Sequence, residues 1–343
     1  MTAQSGAAKR PVALFVMGAQ RSGTSALTRV LSLCGGTLPP TLLSADRANP
    51  RGYWEPRTAV DLNEAILHRN GSHWADPSLR LQDECVLDAE DTAACIAEIG
   101  AFLTGLPTTP LVIIKEPRIT LLSGMWFEAA RQAGFDITAV IMVRHPQEVV
   151  ASLGAHGGIS SALSSALWLK YNLLADEHTR GVARVFVEYG QLLQDWRREI
   201  MRISATLAID MNTRNADSIE EFLAPDLRRQ RHDGPVTDLF GTHWISTVYE
   251  ALCAAARDEP LDESAMDRTF EAYRASEHDF RTIFEDYRSV QSHSSRRPPV
   301  LKLIGNVFAM AHRRARTAGA VSGSVGGRVQ ADRRGVAGLT SWI

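Results

Sequence analysis

The stretch Gly18-Ala19-Gln20-Arg21-Ser22-Gly23-Thr24-Ser25 follows a short apolar run and precedes a helical pattern. Glycines at such a junction let successive backbone N–H groups turn toward one anion, and the helix that follows adds its positive end. Phosphate binding is the chemistry this predicts. An ATP-type loop carries Lys-Ser/Thr where Thr24 and Ser25 stand; here the nearby cation is Arg21. Lys115, in a chain with four lysines against thirty-three arginines, caps a second apolar run. It either brings a point charge into the same crevice or is a solvated strand end. Arg144 ends a third run, with Ser152 eight residues beyond, a pair suited to a second anion site. Tyr189 follows a fourth run and either stacks on a base or plugs the core.

The elements that must position these residues follow from apolar periodicity. Buried strands are predicted at Pro11–Met17, Leu111–Ile114, Ile137–Val143 and Arg184–Glu188. Helices are predicted at Thr24–Cys34, Arg57–Arg69, Asp88–Leu103, around Thr120–Ala133, at Pro146–Leu153 and at Ser160–His178, then mostly from Gln191 to about Tyr287. Pro146 suits a first helical position, where its missing N–H costs nothing. Strand and helix alternate through residue 200. That order predicts an α/β fold, a P-loop-like parallel sheet flanked by helices, with a helical carboxyl-terminal third. Ligands of such sheets bind beyond the carboxyl ends of the strands, where all four candidate positions fall.

A composition of 45% apolar and 22% charged residues excludes a collagenous or wholly disordered chain. Cys34, Cys85, Cys95 and Cys253 are scattered, which argues against a disulfide framework or zinc site and for a reducing, cytoplasmic setting. Lys9-Arg10 before Val12–Met17 imitates a signal peptide, but the apolar run is too short. The net charge of −2 hides an asymmetry: residues 291–343 hold nine Lys/Arg and one acid, Asp332, so a basic tail hangs on an acidic body. We therefore expect an N-terminal segment 1–10 without order, a domain over 11–290, and a tail over 291–343. Within the tail, Leu301, Ile304, Val307, Phe308 and Ala311 fall at helical spacing before His312-Arg313-Arg314. A basic amphipathic helix over 300–316 can lie on an anionic membrane or dock on the acidic body. No folded nucleic-acid module is visible.

Over residues 11–230 the constellation resembles the sulfotransferases that use 3′-phosphoadenosine 5′-phosphosulfate (PAPS). The resemblance implies that Arg21, Ser22, Gly23, Thr24 and Ser25 hold the 5′-phosphosulfate, and that Arg144 and Ser152 hold the 3′-phosphate. Tyr189–Leu193 is similar to the family's Tyr-Glu-Asp-Leu-Leu segment, with Gly190-Gln191 replacing Glu-Asp. Cytosolic members place a histidine where Pro117 stands. Lys115-Glu116-Pro117 instead resembles the Lys-Asp-Pro of tyrosylprotein sulfotransferases and many bacterial relatives. Those enzymes carry a glutamate base followed two residues later by an arginine, which Gly52-Tyr53-Trp54-Glu55-Pro56-Arg57 matches. The resemblance thus implies Glu55 as base, Lys115 and Arg21 as catalytic cations, and Arg57 as an acceptor contact. Trp54, His73 and Trp74 are expected to line the acceptor site, with Glu116, Asp61 and His73 as fallback bases. Arg228 or Arg229 is a further candidate to reach the nucleotide.

The expected reaction is metal-free, in-line transfer of a sulfuryl group to a hydroxyl of a glycan, glycolipid or small natural product. A phosphosulfate carries less charge than a triphosphate, and none of the four strands ends in an acid placed like the metal-holding Asp of ATP-type loops; Glu188 is the nearest approach. The alternatives are a P-loop kinase-like phosphotransferase, a tyrosine-directed protein sulfotransferase, and a nucleotide-binding protein whose base is unused.

Overall fold

The computed structural model describes residues 10–47, 49–82, 88–223, 230–239 and 241–293, with backbone alone for 156–157 and 279–293. The chain divides into two units, Met1–Thr282 and Ile283–Ile343, and everything below belongs to the first apart from the end of the last helix. The proposed tail helix over 300–316, like Arg228 and Arg229, lies outside the described residues. Among the described residues no helix is long and apolar enough to cross a membrane.

Strand β1 (Val12–Met17) leads into α1 (Thr24–Leu33), followed by α2 (Arg57–Arg69) and α3 (Ala89–Thr104). Then come β2 (Leu111–Lys115), a 3₁₀ turn over Pro117–Leu121, α4 (Ser123–Gln132) and β3 (Asp136–Val143). Next are α5 (Pro146–Gly157), α6 (Ser161–Thr179) and β4 (Ala183–Glu188). Five helices complete the described unit: α7 (Tyr189–Gln194), α8 (Trp196–Leu207), α9 (Ala216–Phe222), α10 (Trp244–Ala256) and α11 (Glu263–His293). The strands form one parallel sheet in the order β2-β1-β3-β4. The expected run of helix after Gln191 is interrupted: residues 208–215 and the described part of 230–243 are largely irregular.

Both faces of this sheet are covered, which is why its strands read as continuous apolar runs. Alternate side chains go to opposite layers. Ala13, Phe15 and Met17 of β1 pack with Ile66, Ile99, Trp126, Val149 and Leu167 of α2 to α6. Val12, Leu14 and Val16 pack with Leu27, Leu31, Leu192, Ile200 and Ile219 of α1 and α7 to α9. The chain leaves β1, adds β2 on one side, then crosses to add β3 on the other. The loop after β1 lies at the carboxyl end of the parallel strands, where open sheets of this kind bind their ligands.

One buried charge in the packing carries a stability prediction. Lys170 of α6 has no exposed surface, and its Nζ donates to the Asp76 carbonyl oxygen at 2.9 Å. Burial depresses its pKa to about 8, although Asp76 and Glu277 pull the other way. A cation whose folded pKa lies below its unfolded value opposes folding at low pH, and that opposition fades as pH rises from 8 toward 10.5. Lys170→Met is therefore expected to raise the melting temperature at pH 7, by at most roughly 3 kcal/mol of stability, less what the lost hydrogen bond returns. Thermal melts from pH 6 to 10 should show the gap between variant and parent closing as pH rises.

Candidate active site

The loop between β1 and α1 is shaped by residues of β3 and α7. Gly18 has φ of +120°, and a Cβ there would lie 2.7 Å from the Met142 carbonyl oxygen of β3. Gly23 has φ of +96°, and a Cβ there would lie 2.2 Å from the Tyr189 ring. Both positions thus need glycine on two grounds, backbone conformation and space. Arg21 between them also takes a positive φ, 65°. α1 starts at Thr24 with no side-chain cap and no acid in its first turn. Ser22 is fully buried, and its Oγ has no hydrogen-bond partner among the described residues. Uncapped first-turn amides beside an orphaned hydroxyl in a tight loop make a setting that suits a phosphate or sulfate oxygen.

Lys115 at the end of β2 is not a solvated strand end. It is 2% exposed, and its Nζ donates to Ser25 Oγ (3.1 Å), to the Tyr53 carbonyl oxygen (3.2 Å) and to the Glu55 carboxylate. Glu55 is itself 6% exposed. Its backbone is fixed by pairing with the strand-like segment Thr41–Leu43, through Leu43 N to Glu55 O at 2.8 Å and Arg57 N to Thr41 O at 2.9 Å. The anion loop, the cation and the carboxylate predicted as base therefore meet at one point.

Arg144 at the end of β3 reaches the same loop. Its Nη1 donates to the Arg21 carbonyl oxygen at 2.8 Å, and its Nη2 to the Gln230 carbonyl oxygen at 3.2 Å. Its Nε donates to Glu148 one helical turn on, at 2.8 Å, in a pair buried on both sides. Ser152 accepts from Arg21 Nε at 3.0 Å. The glycine loop and the Arg144–Ser152 pair are thus contiguous: Arg21 joins them, its backbone oxygen on Arg144 and its side chain on Ser152.

Tyr189 lies 4% exposed, with its ring against Gly23 and the Arg144 guanidinium 4.7 Å above its centroid. It packs in the layer beneath the sheet and touches both the glycine loop and Arg144. The acceptor residues divide. Arg57, exposed at the first position of α2, makes no side-chain hydrogen bond or ion pair with a described residue. Trp54 is half-buried. Its Nε1 donates to the Arg51 carbonyl oxygen at 3.0 Å, and its ring is taken up by Arg29 at 4.5 Å and Phe222 at 6.3 Å. His73 is exposed in a turn, its Nδ1 accepting from Ala75 N at 3.1 Å, and it touches neither Glu55 nor Lys115. The carbonyl of Trp74 accepts from Tyr171 OH at 2.9 Å. Asp61 is exposed on α2.

Two residues of this site are absent from the expectations. Glu148 is legible in hindsight as an acid four residues after Arg144, the spacing of neighbours on a helix. Asn63 of α2, fully buried, has no such signal.

Fold and site together define an α/β protein with a glycine-bearing strand–loop–helix and a buried acid–cation pair at the carboxyl edge of its parallel sheet. No family model and no curated protein matches the chain. Among solved structures it is similar to the sulfotransferase domain from the Synechococcus PCC 7002 olefin synthase, at 20% identity over 79% of this chain and 97% of that one, with a TM-score of 0.40. It is also similar to the sulfotransferase domain from the curacin biosynthetic pathway, at 13% identity over 73% and 99%, with a TM-score of 0.39. Likeness of this degree leaves the chemistry to be argued from the site itself.

Proposed function

We propose that this protein is a sulfotransferase that moves the sulfuryl group of PAPS to a hydroxyl acceptor. The observation that carries the reading is the buried Glu55–Lys115 pair seated on Ser25 of the anion loop, with Arg144 bound to that loop through Arg21. ATP has no 3′-phosphate to occupy Arg144 and Ser152. PAPS supplies an activated sulfuryl group and that second anion.

Each residue then has a task. Ser22, Ser25 and the first amides of α1 take the 5′-end oxygens. Arg144 and Ser152 take the 3′-phosphate, Arg144 through the N–H groups that Glu148 and the two carbonyls leave over. Glu55 takes the proton of the acceptor hydroxyl as its oxygen attacks sulfur. Lys115 and Arg21 oppose the charge that grows on the departing phosphate, where fixed donors contribute most. As Lys115 is drawn to that charge its hold on Glu55 slackens, so the base strengthens when its proton arrives. Arg57, exposed beside the Glu55 segment and without a side-chain hydrogen bond or ion pair to a described residue, is the acceptor contact. A hydroxyl of a carbohydrate, glycolipid or small natural product suits this arrangement, and an in-line displacement held by two cations and backbone amides needs no metal.

Thermal melts with 3′,5′-ADP, 5′-ADP and Mg-ATP test the donor assignment. A ligand bound to the folded state alone adds about 2.7 kcal/mol at a hundred times its Kd. The expected result is a clear upward shift with 3′,5′-ADP, unaltered by EDTA, and smaller shifts with the other two. Equal shifts from all three would favour a phosphotransferase.

A further inference from the structure

Glu116 is a second buried carboxylate beside the proposed base, and the reaction as described gives it no task. Its side chain has no exposed surface. Oε1 accepts from Arg118 Nη1 and Oε2 from Asn63 Nδ2, each at 2.5 Å. Asn63 has no freedom to turn over, because its Oδ1 already accepts from Trp126 Nε1 at 2.8 Å. It must present its NH₂ group. Both oxygens of Glu116 are therefore offered donors only, an environment built for the ionised form.

The charges facing Glu116 come from several elements. Glu55 lies on the segment before α2, Asn63 and Glu64 on α2, and Tyr171 on α6. Lys115 ends its own strand and Arg118 lies in the 3₁₀ turn that follows, reaching Glu64 as well at 2.6 Å. Burial raises its pKa most, to about 7, with the charge of Glu55 adding to the rise and Arg118 opposing it. Glu116 is also the chain neighbour of Lys115, whose Nζ holds the buried Glu55 carboxylate, so the two acids lie on either side of one cation-bearing strand end. An ion pair with Lys115 by itself would leave Glu55 a poor proton acceptor.

We propose that Glu116 is a positioning residue that acts through Glu55: its negative charge, fixed by Asn63 and Arg118, offsets the pull of Lys115 and keeps Glu55 able to take the acceptor's proton. This rests on Glu55 being the base. The probe is PAPS with water as acceptor, followed as release of 3′,5′-ADP. The bond from sulfur to the phosphate oxygen breaks, one to the water oxygen forms, and the water proton passes to Glu55.

For Glu116→Gln the acidic limb of the pH–rate profile is expected to move down by about one pH unit, with a several-fold lower plateau. Asn63→Asp/Glu116→Gln returns the charge to the other side of the same hydrogen bond, and the limb should move back toward its parental position. A merely structural role lowers the rate and leaves the limb where it was, and that result in a folded variant overturns the inference. Glu55→Gln measured alongside separates the two claims, since parental hydrolysis there removes the base and not the tuning alone. Should Glu116→Gln fold poorly, infrared carboxyl bands decide the matter in the parent and in Glu55→Gln. A carboxyl titrating near neutrality in the parent should titrate lower once Glu55 is neutral. A band unmoved by that substitution would sink the proposal.

Discussion

Glu55→Gln is expected to lower sulfuryl transfer by about 10²–10⁴-fold while leaving the affinity for 3′,5′-ADP within a few-fold of the parent. The substitution keeps shape and one acceptor oxygen, so Lys115 Nζ retains a partner on the Glu55 side as well as Ser25 Oγ and the Tyr53 carbonyl oxygen. What it removes is a site for the proton. The pair is buried on both sides, so its loss also carries a stability cost on the order of 3 kcal/mol. That cost is read separately by melting, and it should shrink in Glu55→Gln/Lys115→Met, where neither charge is left alone. Single-turnover rates with donor in excess isolate the chemical step from binding. Parental activity in a folded Glu55→Gln protein would move the base elsewhere. Among the fallback residues only Glu116 is buried in the same region, whereas Asp61 and His73 are exposed.

The parts of this site legible in the sequence are those fixed by local geometry. Six apolar residues closed by Gly18 must form a buried strand ending in a turn, and Thr24 and Ser25 before an apolar periodicity must open a helix. The positions of Lys115 and Arg144 at strand ends follow from the same argument, and a parallel sheet then sends all of them to one edge. The partnerships made there are not local. Glu55 and Lys115 meet across 60 residues, and Asn63 and Trp126 across 63. A buried asparagine in an otherwise amphipathic helix reads as surface until its partners are known. Tyr189 shows the same limit from the other side. Its type fits a stacking platform and a core plug equally, and its neighbours Gly23 and Arg144, 166 and 45 residues away in the chain, are set by the fold and not by local spacing. The irregular segments after Ala208 were invisible for a related reason: their apolar residues, such as Ile209, pack against the sheet layer without helical spacing.

Arg144→Met is expected to erase the preference for 3′-phosphorylated over 5′-only nucleotides, a loss of roughly 1.5–3 kcal/mol for a charged hydrogen bond. The same substitution also disturbs the protein, because Arg144 secures Glu148 and the Arg21 carbonyl oxygen. Breaking a buried pair from one side costs about 3–5 kcal/mol, enough to mimic a binding defect. Arg144→Met/Glu148→Leu separates the effects, since removing both charges from a buried pair is often neutral or stabilising. Stability should then return toward the parent while nucleotide discrimination stays lost. Calorimetric titration with 3′,5′-ADP and 5′-ADP against parent, single and double variants gives the comparison. If the double variant folds and still prefers the 3′-phosphate, Ser152 and Arg21 alone hold that group. Arg144 is then a strut under the glycine loop rather than a nucleotide contact.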